Sequence, residues 1–178
     1  MSVVIDSKGE AERAARIIRD SGGQVVGRTR LQKLAYLLEI TGLGSGFAFE
    51  YRHYGPFSEE LANSISIAES LKLLTEEEHS TWWGGAYSVF TASPTAEKNS
   101  ATGVDPARKR ILKLGQKANP VSLELAATAA YLALEGNPDP WEETKKRKPE
   151  KAEKWLENAK QLYSNLRSVT VPKQMPSI

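Results

Sequence analysis

Gly27-Arg28-Thr29-Arg30-Leu31-Gln32-Lys33-Leu34-Ala35-Tyr36-Leu37-Leu38, followed after a short gap by Phe49-Glu50-Tyr51-Arg52-His53-Tyr54-Gly55-Pro56-Phe57-Ser58, is the stretch that decides the fold. In the first half, Leu31, Leu34 and Leu38 make an apolar stripe at helical spacing. Thr29 and Gln32 stand as a capping box, and Gly42 sits where a left-handed C-cap is expected. The second half alternates: Phe47, Phe49, Tyr51 and His53 fall on one face, and Ala48, Glu50, Arg52 and Tyr54 on the other. That period of two predicts a strand over 47–54. Gly55-Pro56 then turns the chain. Ser58, with Glu59 and Glu60 behind it, caps a third helix expected to end near Thr75.

Upstream, Ser7 and Glu10 form a second capping-box pattern, and Ala11, Ala14, Ala15 and Ile18 keep helical spacing until Ser21-Gly22-Gly23. Downstream, Gly84-Gly85 precedes Ala86–Thr91, rich in strand formers and paired in expectation with the Trp82-Trp83 segment as a hairpin. Asp105-Pro106 and Asn119-Pro120 each open a helix with a cap and a proline at the first position. The helix from Val121 to Glu135 is alanine-rich, and Asn137-Pro138-Asp139-Pro140 reads as a rigid turn. Pro149 opens a last helix expected to dock by Trp155, Leu156, Leu162 and Tyr163.

The expected architecture is α+β and predominantly helical, one domain over 1–170. A winged-helix-like N-terminal part spans 7–92, with a small antiparallel sheet built from 47–54 and 86–92. A loop at 93–104 leads to C-terminal helices over 105–168 that pack on it, and 171–178 is expected to be a disordered tail.

The 178 residues suffice for one such core, and a hydrophobic fraction of 40% with 26% charged residues is that of an ordinary globular chain. No apolar run approaches the ~20 residues of a membrane span, and no signal-like segment opens the chain, so a cytoplasmic location is expected. The absence of cysteine excludes disulfides, thiolate catalysis and cysteine-held metals, and two histidines do not make a His-rich metal site. No metal, cofactor or catalytic constellation is indicated, and no enzymatic activity is expected. The formal charge of +2 permits nucleic-acid binding without pointing to it.

Several clusters invite a functional reading beside a plain one. Arg28, Arg30 and Lys33 gather at the start of a helix, where with Arg52 they would meet phosphates; their plain reading is a solvated basic edge. Tyr54 to Ser58 reads as an anion-binding helix entry or as a strand-to-helix turn. Glu76-Glu77-Glu78-His79 has the composition of a hydrolytic or metal site, but Thr75 followed by three acids also reads as an N-cap. Trp82, Trp83, Tyr87 and Phe90 read as an aromatic platform or as hairpin packing. Lys145 to Lys148, flanked by acids, reads as a solvated loop. Arg52, Tyr54, Phe57, Trp82 and Trp83 are the expected partner-binding residues, because interface cores favour Trp, Tyr, Phe and Arg.

Arg28-x-Arg-Leu-Gln-Lys-Leu-x-Tyr-Leu-Leu38, with Tyr51-x-x-Tyr-Gly-Pro-Phe-Ser-x-x-Leu61, Leu123–Thr128 and Lys148-Pro149, resembles the YwgA-like bacterial proteins and the related Panacea (SocA-like) antitoxin domain over roughly 8–167. The resemblance implies a small, mostly helical, non-enzymatic protein of the antitoxin or proteolytic-adaptor type that binds a cognate, toxin-like protein. The segment 95–103 and the Trp pair depart from the pattern. A helix, strand, helix, hairpin order over 29–92 also looks like a winged helix, which makes DNA binding through Arg28, Arg30, Lys33 and Arg52 the alternative reading.

Overall fold

The computed structural model describes residues 6–94 and 103–178. Of the loop expected at 93–104, residues 95–102 lie outside the described residues. Helix α1 (Ser7–Asp20) is capped by Asp6, whose carboxylate accepts from the Gly9 N–H at 3.0 Å, so Asp6 rather than Ser7 is the N-cap. Then follow β1 (Gln24–Val26), α2 (Arg28–Ile40), the short strands β2 (Glu50–Arg52) and β3 (Gly55–Phe57), α3 (Glu59–Ser70), β4 (Leu74–Ser80) and β5 (Ala86–Ala92). Helices α4 (Pro106–Lys117), α5 (Pro120–Leu134), α6 (Pro140–Arg147) and α7 (Pro149–Arg167) complete the chain. The protein is therefore α+β and predominantly helical, as its sequence implies.

The three-stranded antiparallel sheet runs β1–β5–β4. With α1, α2 and α3 this is the winged-helix order, the β4–β5 hairpin being the wing. One feature departs from it: β2 and β3 form their own two-stranded hairpin between α2 and α3. The expected strand over 47–54 is thus only Glu50–Arg52, and its partner is Gly55–Phe57, not 86–92. Tyr51 pairs with Pro56 and Arg52 with Gly55, so the turn is the two-residue His53-Tyr54 and not Gly55-Pro56.

Four further expectations are corrected. Helix α3 stops at Ser70, because Lys72 adopts a positive φ of 59° and the chain turns there into β4. Thr75 to Glu78 therefore lie in a strand and cap nothing. Asp139 and Pro140 open helix α6, with the Asp139 side chain accepting from the Glu142 N–H at 3.1 Å, so Lys145–Arg147 are helical and not a loop. The tail is packed: Met175 is buried, the Tyr163 hydroxyl donates to the Pro176 carbonyl at 2.7 Å, and the Lys173 N–H donates to the Thr41 carbonyl at 3.0 Å.

Helix α5 is the axis of the C-terminal half. Its residues from Ser122 to Ala130 are buried on every side, the signature of a helix wrapped by neighbours rather than laid on a surface. Its alanines let α2, α6 and α7 approach closely. Helix α7 docks through Ala152, Ala159, Leu162, Tyr163 and Leu166, while Trp155 and Leu156 are only half-buried. Each fully buried leucine contributes on the order of 1.5–3 kcal/mol. None of the helices among the described residues is long and apolar enough to cross a membrane.

Candidate functional site

Three places gather chemistry-bearing residues: a buried polar clamp under the β2–β3 hairpin, an open groove beside it, and the tip of the wing. The clamp begins at α2. Leu31, Leu34, Leu37 and Leu38 face the core, and the same helix turns Gln32 and Lys33 inward. Gln32 makes no capping box with Thr29, since Gly27, at a φ of 98°, is the N-cap and no side chain caps α2. Its amide instead spans to Ser58, donating to the Ser58 carbonyl at 2.9 Å and accepting from the Ser58 N–H at 2.8 Å. Lys33, 1% exposed, donates to the Pro56 carbonyl at 2.7 Å.

From the other side, α5 presents Glu124, which takes Lys148 Nζ at 2.7 Å and Lys151 Nζ at 2.8 Å. Lys148 also donates to the His53 carbonyl at 2.9 Å, so the hairpin turn is tied to the α6–α7 junction. Burial holds the Lys33 ammonium down to about 8; Glu124 opposes that shift, and the neighbouring Lys148 and Lys151 add to it. Gly55, at a φ of 86°, passes so close to α5 that a Cβ there would stand 2.6 Å from Thr128 Oγ1. Gln32, Lys33, Gly55, Ser58, Glu124 and Lys148 thus meet in one buried cluster that fastens the hairpin to α2, α5 and the α6–α7 junction.

The groove, about 540 Å³, lies over Leu31, Leu61, Ile65 and Phe90, with Arg28, Glu76, Tyr54 and Phe57 at its rim. Tyr54 is exposed, and the Lys151 ammonium sits 5.0 Å above its ring. Arg52 lies 4.7 Å over the Phe57 ring and is held by Glu50 and, at 2.8 Å, by Glu59. Arg52, Tyr54 and Phe57 are therefore neighbours on one hairpin.

Trp82 and Trp83 are elsewhere. Both stand in the turn Thr81–Gly85 at the wing tip, not in a strand. That turn is closed by the Thr81 N–H donating to the Gly85 carbonyl at 2.7 Å. Trp82 is 93% and Trp83 68% exposed, and their rings meet edge to face at 5.4 Å. Six residues of hairpin separate Trp82 from Glu76 at the groove, about 20 Å at ~3.3 Å per residue. The five partner-binding residues expected from sequence thus form two patches. Of the other aromatics there, Phe90 is core, and Tyr87 stacks on His79 at 5.5 Å.

The four cations of the DNA reading do not converge. Arg30 donates to the carbonyls of Gly115, Gln116 and Ala118 at 2.6–3.1 Å and so caps the end of α4. Lys33 is buried, Arg28 is bound to Glu76 at 2.7 Å, and Arg52 is bound to two glutamates. Helix α3 and the wing carry Glu59, Glu60, Glu69, Glu76, Glu77 and Glu78 against Lys72 alone. Within the wing, Glu77 lies 3.5 Å from His79, and among the described residues no group of carboxylates and histidines is arranged to hold a metal.

Glu124, Thr128 and Lys148 escaped the site reading because each is ordinary alone; only their meeting around Gly55 gives them a role. Compared with protein-family profiles and with curated proteins, the chain matches none.

Proposed function

We propose that this is a non-enzymatic regulatory protein that acts by binding another protein, in the manner of the antitoxins and proteolytic adaptors its sequence resembles, with the wing as its principal contact. The observation that carries this reading is the exposure of two adjacent tryptophans at the tip of a hairpin. Such side chains are costly to leave in water and are the commonest anchors of protein interfaces. The wing strands add Glu77 and Glu78, so the complementary surface is one of cationic and apolar side chains. Duplex DNA is disfavoured, because a winged helix would set an acidic α3 and an acidic wing against phosphates.

The test is affinity capture from the source cell with the wild type and with Trp82→Ala/Trp83→Ala, followed by titration of the purified captured protein. A partner bound by the wild type and weakened at least thirtyfold by the double variant, about 2 kcal/mol, supports the reading. Equal binding by both removes the wing as the contact, and capture of nothing specific by the wild type counts against the adaptor reading.

A further inference from the structure

Across the β2–β3 turn from the groove lies a second cavity, an open cleft of about 690 Å³ between that turn and the junction of α6 with α7. Arg52, Arg147, Lys148 and Lys151 line it against a single acid, Glu150. The two arginines already have partners, Glu50 and Glu59 on Arg52 and Glu143 on Arg147 at 2.7 Å. The lysines are different: Lys148 and Lys151 share one carboxylate, Glu124, and the ammonium of Lys33 lies close enough to feel all three. At the cleft wall two ammonium groups share one carboxylate, which leaves one positive charge beyond Glu124 with the buried Lys33 behind it, a setting that favours an anion entering the cleft. Lys148 is nearly enclosed while Lys151 is 35% exposed, so the charge is reachable from the cleft. Helix α7 begins at this same wall with no side-chain cap, which adds to the positive potential.

We propose that this cleft is a binding site for a small phosphorylated ligand, its phosphate seated between Lys151, Lys148 and Arg147. A phosphate answers the Lys148 and Lys151 ammonium groups, and the guanidinium of Arg147, 4.8 Å over the Tyr51 ring, supplies further N–H donors to its oxygens. The cavity is of the size that holds small ligands, larger than a bare phosphate needs. The site is separate from the wing and does not depend on the partner-binding reading.

The test uses the full chain and four probes, inorganic phosphate, diphosphate, tripolyphosphate and ATP, titrated by calorimetry and by amide NMR shifts. The expected result is saturable binding of at least one probe that shifts residues 51–53 and 147–151, weakens with added salt, and falls about tenfold or more in both Lys151→Gln and Arg147→Gln. Arg147 is surface-held, so Arg147→Gln reports on binding even if Lys151→Gln unsettles the fold. Lys151→Arg should retain binding. Tighter binding of ATP than of tripolyphosphate identifies an organic phosphate as the occupant, and the reverse order identifies the inorganic anion. Absence of saturable binding by all four probes, or binding that both glutamine variants leave unchanged, overturns the proposal.

Discussion

Gln32 and Ser58 bond each other twice across 26 residues of chain, the Gln32 amide standing in for a strand partner to the backbone of Ser58. Both groups are buried, so the pair fixes where the hairpin ends and α3 begins. Replacing Gln32 by Leu keeps the volume and orphans the Ser58 N–H, while the Ser58 carbonyl keeps its bond from the Ala62 N–H at 3.2 Å. The expected cost is ~1–3 kcal/mol, read as a lower urea midpoint with an unchanged slope. A loss under ~0.5 kcal/mol would show that the pair does not hold the hairpin.

Gly55→Ala should be costly for two separable reasons, the positive φ and the approach of the new Cβ to Thr128 Oγ1. Thr128→Ala removes the second reason only. A double-mutant cycle should therefore show favourable coupling of at least ~0.5 kcal/mol, Gly55→Ala being better tolerated in the Thr128→Ala background. Strict additivity would mean that the hairpin moves away from α5.

Lys33 gives the stability a pH signature. Its folded-state value, about 8, is below the ordinary lysine value of 10.5, so the folded protein releases this proton before the unfolded chain does. Below pH 8 the full cost of the buried ammonium is present. Between pH 8 and 10 the unfolded state binds more protons, and this contribution to stability rises with pH, on the order of 2 kcal/mol. Tyr36 and Tyr163, both pushed up by burial, act oppositely and only above their ordinary value of 10.0. Denaturation midpoints at pH 7, 8, 9 and 10 should climb more steeply in the wild type than in Lys33→Met. Parallel curves would refute the assignment.

Met175 anchors the C-terminal segment in the core, 2% exposed among the ends of α2 and α7. Met175→Ala should cost ~2–3 kcal/mol, and removal of 171–178 should lower the melting temperature by several degrees. An unchanged melting temperature after truncation would show the segment to be dispensable.

The helices with strong local signals were legible in the sequence. Asn119-Pro120 and Asp105-Pro106 carry cap and proline together, and the Leu31, Leu34, Leu38 stripe can bury itself only as a helix. Where a residue had two uses, the local one was not decisive. Gln32 suits a capping box, yet the buried backbone of Ser58 claims it. Thr75 and its glutamates suit a helix start, yet seven rungs of pairing with β5 draw them into a strand. The alternation over 47–54 marks a strand only at Glu50–Arg52, and its partner lies outside the reach of any local pattern, because pairing is settled by the chain that returns beside it.

For the candidate sites the division is sharper. The sequence by itself determined that the chain is α+β with helices dominant, and that tryptophan, tyrosine and arginine concentrate near 51–57 and 82–83. Only the tertiary structure separated those two segments into a hairpin groove and a wing tip, turned Arg30 and Lys33 inward, and brought Glu124, Lys148 and Lys151 against the hairpin turn. The physical reason is range. Caps, stripes and alternation are set by neighbours within a turn or two, whereas the charge cluster around Glu124 joins Lys33 to Lys148 and Lys151, 115 and 118 residues further along the chain, whose energies exist only once the core has closed around them.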